Sequence, residues 1–304
     1  MSSPFELNTF STSVLLRLCE QLQIPIQEAS LLFPFKVSAQ ALVSSQEVEE
    51  ALSANGYWEK NAPSDEMRRA LRALGMPRKQ YDIKMKNMDG QIRFFAFGNS
   101  SDVVVAALGN DEVGFARPIT FLQFLGNMMS QVGHDPIPSD DFHVLRVNTP
   151  TFALICHFIE KGMASEPLAF DVIEPKVASF FPEKEQSQLF MQALVDDQVL
   201  VFVAGKYEFA LGFKGWVKAL QSGCQMQVER TDLRGGKVSD APTKEKAAFF
   251  GPVGERYSML ETADGSGDLL LCRPGRKQLR SLMGALLGEA DNSNLAFHMP
   301  RLRR

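Results

Sequence analysis

Apolar residues recur along this chain in two patterns, one with helical spacing and one with strand spacing. Residues 6–22 begin with a short extended stretch and continue with apolar side chains three and four positions apart, which predicts a strand and then an amphipathic helix. Residues 80–88 and 91–97 instead alternate apolar and polar side chains around Asp89-Gly90, a strong turn signal, which predicts a β-hairpin. Residues 102–108 and 112–116, joined by Gly109-Asn-Asp111, predict a second hairpin. The chain is therefore predicted to combine helices with antiparallel strands.

A similar order of elements occurs twice. An Asn-Thr pair stands just before a helix at Asn8 and again at Asn148, and an Arg-Pro pair precedes the last helix at Arg117 and again at Arg273. Each occurrence predicts a strand, a helix, a short extended piece, two helices, four strands in two hairpins and a final helix. The spacing between equivalent positions grows along the chain, as loop insertions into a duplicated unit would cause. We therefore predict an internal duplication.

The bounds of the paired elements follow from these patterns. The helix over 188–195 is expected to turn Leu189, Ala193 and Leu194 inward. The predicted pairs are the extended pieces 32–37 and 168–173, the helices 47–54 and 188–195, the helices 65–74 and 213–221, and the hairpin strands 102–108 and 112–116 with 256–261 and 268–272.

Together these elements predict an α+β fold. Two duplicated sheets lying side by side would form one central antiparallel β-sheet, flanked by two α-helical bundles and related by a pseudo-twofold axis. The linker 134–141 contains two Pro and three Asp and marks the boundary. We expect a first half over 1–138 and a second over 139–304, sharing the sheet and forming one cooperative domain.

Composition narrows the class of protein. The 304 residues are 45% hydrophobic and carry a formal net charge of -4, so a large core is expected and binding to nucleic acid is not. The 23 Phe against 4 Tyr and 2 Trp place most aromatic surface in a core or a dry contact. The polar start and the absence of an 18-residue apolar run predict neither a signal peptide nor membrane insertion, and hence a cytoplasmic protein.

The sequence gives no sign of catalytic or metal chemistry. Cys156 and His157 are adjacent, and neighbours on a helix point about 100° apart, so they cannot pair as nucleophile and base. The four cysteines lack zinc spacing and a disulfide framework, so we expect small buried side chains. Asp264 and Asp268 fit a hairpin turn better than a calcium loop. We predict no enzyme activity, no metal and no cofactor.

Phenylalanines on two strands are candidate partner contacts. Alternation places Phe95 and Phe97 on one face of their strand and Phe94 on the other, where it would contact the other half or a partner. Phe249 and Phe250 belong either to a buried strand or to a mobile apolar hook for a client.

Basic residues near the C-terminus form a solvated helix face or a docking site for an acidic partner or a secretion ATPase. The candidate partner contacts are Phe94, Phe95, Phe97, Phe249, Phe250, Arg276, Arg280 and Met283.

Three segments resemble the EspG family of type VII (ESX) secretion chaperones. They are residues 49–56, which read Glu-Glu-Ala-Leu-Ser-Ala-Asn-Gly, residues 65–77 with Ala-Leu-Arg-Ala-Leu-Gly-Met-Pro, and the strand start at 81–86. The resemblance covers the layout of nearly the whole chain. It implies a cytosolic, ATP-independent chaperone or adaptor that holds the apolar tip of a helical secreted protein, using the central sheet and the second helical bundle.

Two other classes remain open. The chain could be a structural or assembly subunit of a phage or secretion machine that associates with itself through its sheet, or an enzyme with an unrecognised site.

Overall fold

A computed structural model describes residues 5–36, 43–99, 102–132, 144–164, 166–233, 244–252, 257–261, 268–273, 279–280, 283–284 and 287. These residues form helices and a large β-sheet, so the predicted α+β class is confirmed. None of the helices in this part of the chain is long and apolar enough to cross a membrane.

The helices are α1 (Thr12–Gln21), α2 (Ser45–Ala54), α3 (Asp65–Gly75), α4 (Phe121–Val132), α5 (Thr149–Glu160), α6 (Phe170–Phe180), α7 (Lys184–Asp196) and α8 (Leu211–Gln221). The strands are β1 (Asn8–Ser11), β2 (Trp58–Glu59), β3 (Ala62–Pro63), β4 (Lys79–Asn87), β5 (Gly90–Gly98), β6 (Asp102–Leu108), β7 (Glu112–Phe115), β8 (Ile119–Thr120), β9 (Val144–Val147), β10 (Leu200–Val203), β11 (Lys206–Phe209), β12 (Gln225–Asp232), β13 (Lys244–Phe250), β14 (Tyr257–Glu261) and β15 (Leu269–Cys272).

Polar caps start the helices that the sequence pattern predicts. The Ser11 side chain accepts a hydrogen bond from the Val14 N–H at 3.3 Å at the start of α1. The Asn148 side chain accepts one from the Thr151 N–H at 2.8 Å at the start of α5, where Pro150 occupies the first turn. These side chains satisfy N–H groups that lack a partner within the helix. Both predicted strand–cap–helix segments are confirmed.

Eleven strands form one large sheet, and every pair with a described register is antiparallel. The strand order is β1-β7-β6-β5-β4-β12-β13-β14-β15-β9, with β8 paired to β6. The predicted β4–β5 hairpin is present, although its two-residue loop is Met88-Asp89, one position before the predicted turn. Strands β2–β3 and β10–β11 form two separate two-stranded sheets.

The described residues divide into two compact units. The first comprises those within Met1–Gln131, Gln227–Lys246 and Leu279–Arg304. Its main core joins α1, α2 and α3 to one face of strands β5 to β7, with Phe97 and Phe115 fully buried. The second unit comprises Val132–Met226 and Ala247–Gln278, and its core joins α5 to α8 to β13 and β15.

Three local predictions were wrong. Within 32–36, residues Phe33–Phe35 form a 3-10 helix instead of an extended piece. The segment 168–173 enters α6 after Leu168, which makes a single β-bridge. On α7 the buried side chains are Ser187, Phe190, Met191 and Leu194, whereas Leu189 is 71% exposed and Ala193 is also exposed. Leu194 alone was correctly predicted to point inward.

Candidate partner-binding surface

The aromatic residues of β5 mostly belong to the core of the first unit. Phe94 and Phe97 are buried, and the Phe94 ring packs against Phe5 at a centroid distance of 5.7 Å. The N-terminal segment thus covers the face of β5 that carries Phe94. The expected contacts for Phe94 were the other half of the chain or a partner protein, and neither included this segment. Phe95 shares a face with Phe97, as predicted, and remains partly exposed beneath the Arg93 guanidinium, 4.9 Å from its ring centre.

Phe249 and Phe250 lie in strand β13 and are buried. The Phe250 ring contacts Trp216 edge-on at 5.9 Å between centroids. Of the two readings of this segment, the buried strand is the correct one. A partner could touch either ring only if the ring left the core, so neither belongs to an exposed surface.

The predicted contacts near the C-terminus also include both buried and exposed residues. Met283 is fully buried, whereas Arg280 is exposed. Arg276 lies outside the described residues. Among the candidates in the described part, Phe95 and Arg280 therefore remain accessible to a partner.

A separate set of exposed apolar residues lies on the β10–β11 hairpin of the second unit. Val201, Phe202 and Val203 follow one another along β10 and are 37%, 58% and 52% exposed. Phe202 stands opposite Tyr207 of β11, with ring centroids 4.9 Å apart, and Phe170 at the start of α6 lies 6.4 Å from the Tyr207 ring. We call Phe170, Phe202 and Tyr207 the aromatic face of the hairpin.

The backbone fixes the position of this hairpin. Its two-residue turn, Ala204-Gly205, has positive φ at both positions, as in the type I′ turns that join twisted antiparallel strands. On its outer side, the Tyr207 N–H donates to the Leu168 carbonyl and the Leu168 N–H donates to the Tyr207 carbonyl, both at 2.7 Å. The hairpin is therefore tied to the segment that leads into α6.

Charged side chains border the apolar residues of the hairpin. Lys206 is exposed beside the turn, and the Lys214 ammonium lies 3.1 Å from the Glu208 carboxylate. An apolar centre with a charged border is the usual layout of a protein–protein contact.

Comparison with known proteins identifies the fold of this chain. No protein-family model and no curated protein sequence matches this chain. Among solved structures it matches the Mycobacterium tuberculosis type VII secretion system chaperone EspG5, solved in complex with a PE25–PPE41 dimer, with a TM-score of 0.52 and 11% sequence identity. The match covers 93% of this chain and 94% of the EspG5 chain. The chain has the EspG5 fold.

This match confirms the layout resemblance to EspG-like chaperones. Because it spans nearly all of both chains, the likeness concerns the whole fold and not one motif. At 11% identity, however, few surface side chains are shared. The binding surface of this EspG-like chain must therefore be argued from its own residues.

The described part of this EspG-like fold contains no cluster of three or more His, Cys, Asp or Glu that could hold a metal ion. Burial raises the pKa of the Cys19 thiol to about 12 and that of the Cys272 thiol to about 11. Burial, together with the nearby Glu160 carboxylate, also raises the pKa of Cys156. Since the thiolate is the reactive form of cysteine, these three thiols are weak nucleophiles at neutral pH.

The β10–β11 hairpin was not among the elements predicted from the sequence. The signal was present, because residues 199–203 are a run of apolar, mainly β-branched residues, and Ala204-Gly205 separates them from a second short run. Ala-Gly is a weaker turn signal than the Asp-Gly that revealed the β4–β5 hairpin.

Proposed function

We propose that this chain is an ATP-independent chaperone or adaptor that covers the apolar helical tip of a secreted partner protein. The observation that carries the proposal is the aromatic face on a chain with the EspG5 fold, in which Phe170 and Phe202 are exposed and Tyr207 is half-buried. Full burial of one such ring contributes roughly 1.5–3 kcal/mol, so these rings would act as strong contacts at the centre of a larger interface.

The chemistry of the aromatic face suits an apolar helix tip. Three rings in contact offer a continuous apolar area, and the Tyr207 hydroxyl supplies a polar group at its border. The tip of a helical pair presents a few clustered apolar side chains that would aggregate if left uncovered. Holding them on these rings would keep the partner soluble until delivery.

We further infer that the fold arose by duplication of one unit, with halves near 1–138 and 139–304 that share the large sheet and form one cooperative domain. The order of elements supports this. The strand neighbours β1-β7-β6-β5-β4 in the first half correspond, in chain position, to β9-β15-β14-β13-β12 in the second. Each half also places a two-stranded hairpin, β2–β3 or β10–β11, just before a helix.

The remaining expectations belong to the same proposal. The chain would act in the cytoplasm, without enzyme activity and without a cofactor, and exposed basic residues such as Arg280 would contact an acidic partner or a secretion ATPase. Phe95 stays a candidate contact on the first unit.

Purification of the tagged protein from the organism that encodes it tests this function. We expect a small, helical, secreted protein to co-purify in a near-equimolar amount, and to precipitate when it is expressed without the chaperone. The double substitution Phe170→Ser with Phe202→Ser should reduce the bound partner roughly tenfold or more, because it removes two neighbouring rings from the contact.

The matched control is Leu122→Ser on α4 of the first unit, where the side chain is 60% exposed. It makes the same kind of surface change away from the aromatic face and should leave binding unchanged. The proposal fails if the double variant retains the partner as the native chain does, or if the partner is equally soluble alone.

A further inference from the structure

The outer edge of strand β10 offers backbone hydrogen-bonding groups at Phe202. In an antiparallel pair, residues that exchange hydrogen bonds alternate with residues whose N–H and C=O both point away from the partner strand. Tyr207 is of the second kind, because its N–H and C=O bond to Leu168 on the far side of β11. Phe202 stands directly opposite Tyr207, so its own N–H and C=O point outward from β10.

The register of the hairpin agrees with this outward orientation of the Phe202 N–H and C=O. The Ala210 N–H donates to the Val199 carbonyl at 3.0 Å. Because hydrogen-bonded pairs recur at every second residue, Val201 with Glu208 and Val203 with Lys206 are also pairs whose N–H and C=O groups bond across the hairpin. Within the described residues no backbone group bonds to the Phe202 N–H or C=O. One edge of the hairpin is therefore taken by Leu168 and the other is open.

The exposure of β10 matches an edge contact better than a face contact. Alternation sends Phe202 to one face of the hairpin and Val201 and Val203 to the other, yet all three are exposed. A partner lying on one face covers one of these sets. A strand added beside β10 contacts both.

We propose that the occupant of this edge is the β10 strand of a second copy of the chain, paired antiparallel about a twofold axis at Phe202. In that register each Phe202 N–H donates to the carbonyl of the second copy's Phe202, and Val201 of each copy faces Val203 of the other. Such aliphatic and aromatic cross-strand pairs stabilise antiparallel strands. The sequence Val201-Phe202-Val203 is its own complement in this arrangement, as a twofold contact requires.

This contact closes on itself. Because the contact is twofold, each copy uses the same β10 edge and none is left for a third copy, while on the outer side of β11 Leu168 already occupies the N–H and C=O of Tyr207. The product is a dimer and not a filament. In the dimer the apolar residues of β10 are covered while no client is present, which removes an exposed strand edge that would favour aggregation.

Charge substitution across the twofold axis tests the pairing. In one variant Val201 and Val203 both become lysine (V201K/V203K), and in the other both become glutamate (V201E/V203E). Like charges would face each other in either homodimer, whereas opposite charges would face each other in a mixed dimer. Sedimentation is measured at about 0.05 M salt, where screening is weak.

We expect the native chain to approach twice its 33.8 kDa mass as its concentration rises. Each variant alone should stay at the mass of one chain, and an equal mixture of the two should form the dimer again. Dimer formation in the mixture would also exclude damage to the hairpin as the cause of the monomeric state. A native chain that is monomeric at every concentration, a variant that dimerises like the native chain, or a mixture that stays monomeric would each overturn the proposal.

Hydrogen exchange gives a second readout at the edge itself. The Phe202 amide should exchange at least roughly tenfold more slowly at concentrations where the dimer forms, and equal exchange in monomer and dimer would contradict the register. All of these measurements use the isolated chain without a client, so their failure is separate from a failure of the proposed chaperone function.

Discussion

At the residue scale, Gly215 marks a close approach between helix α8 and strand β14. A Cβ atom at this position would overlap the Tyr257 hydroxyl oxygen. The Tyr257 ring is itself held by Trp216, at 5.2 Å between centroids, and by the Arg273 guanidinium, 5.4 Å from its centre. The glycine is therefore required by packing between two elements of the second unit.

We predict that Gly215→Ala lowers the free energy of unfolding by about 1–3 kcal/mol, the usual cost of overpacking, because Tyr257 must move out of its ring contacts. Gly212→Ala, in the same helix, has no atom within 4 Å of the added Cβ and should raise stability by up to about 1 kcal/mol through helix propensity. Urea unfolding of the two variants measures both effects. Equal changes of the same sign would contradict this account of Gly215.

Single residues also show where sequence reasoning stops. Strand alternation correctly placed Phe95 and Phe97 on one face, because that rule is local. It could not reveal that Phe5 covers Phe94, a contact between residues far apart in the chain. On α7 the stripe through Leu189 and the stripe through Phe190 fit helical spacing equally well, and only tertiary packing selects between them.

At the scale of the element, the β10–β11 hairpin carries a conformational cost in its turn. Ala204 adopts a φ of 50°, a left-handed conformation that costs an L-residue about 1–2 kcal/mol unless it is Gly or Asn. The hairpin is nevertheless formed, because Phe202, Tyr207 and Leu168 hold it on both sides of the turn.

Replacing Ala204 with Asn should therefore stabilise the hairpin by about 1 kcal/mol, since Asn tolerates the left-handed conformation. Ala193→Asn, at an exposed position of α7, serves as the control and should lower stability by roughly 0.5 kcal/mol through its poorer helix propensity. Hydrogen exchange of the β10 and β11 amides, together with urea unfolding, reports both changes. Faster exchange of these amides in the Ala204→Asn variant would contradict a conformational cost at Ala204.

Helix α6 shows why one element could not be predicted. It begins after Ala169, which makes no side-chain capping bond, and it contains Pro175, which removes a hydrogen bond from the helix interior. Both features argue locally against a helix. The buried contacts of Ile173 and Val177 with the core of the second unit supply the stability that the local sequence lacks.

At the scale of the whole molecule, the order of elements was easier to predict than their grouping. Local patterns carry the order, and so the two strand–helix segments and the hairpins β4–β5, β6–β7 and β14–β15 were found. The compact units depend on pairings between distant strands, such as β4 with β12, which bring the described residues 227–233 and 244–246 into the first unit. No local signal marks such a pairing. The β10–β11 surface was missed for a related reason, since exposure is a property of the assembled fold.

Client binding should respond to salt according to which surface of the molecule carries it. If the aromatic face does, raising NaCl from about 0.1 M to about 1 M should change the client Kd by less than roughly threefold, because apolar burial is not screened. If Arg280 and the neighbouring basic residues carry it, the same change should weaken binding by roughly tenfold or more. Titration of the partner at both salt concentrations, with Arg280→Glu and with Phe170→Ser as paired variants, separates the two. A large salt effect that disappears in Arg280→Glu would move the client contact from the hairpin to Arg280 and its basic neighbours in the sequence, whereas a salt-independent loss in Phe170→Ser would keep it on the aromatic face.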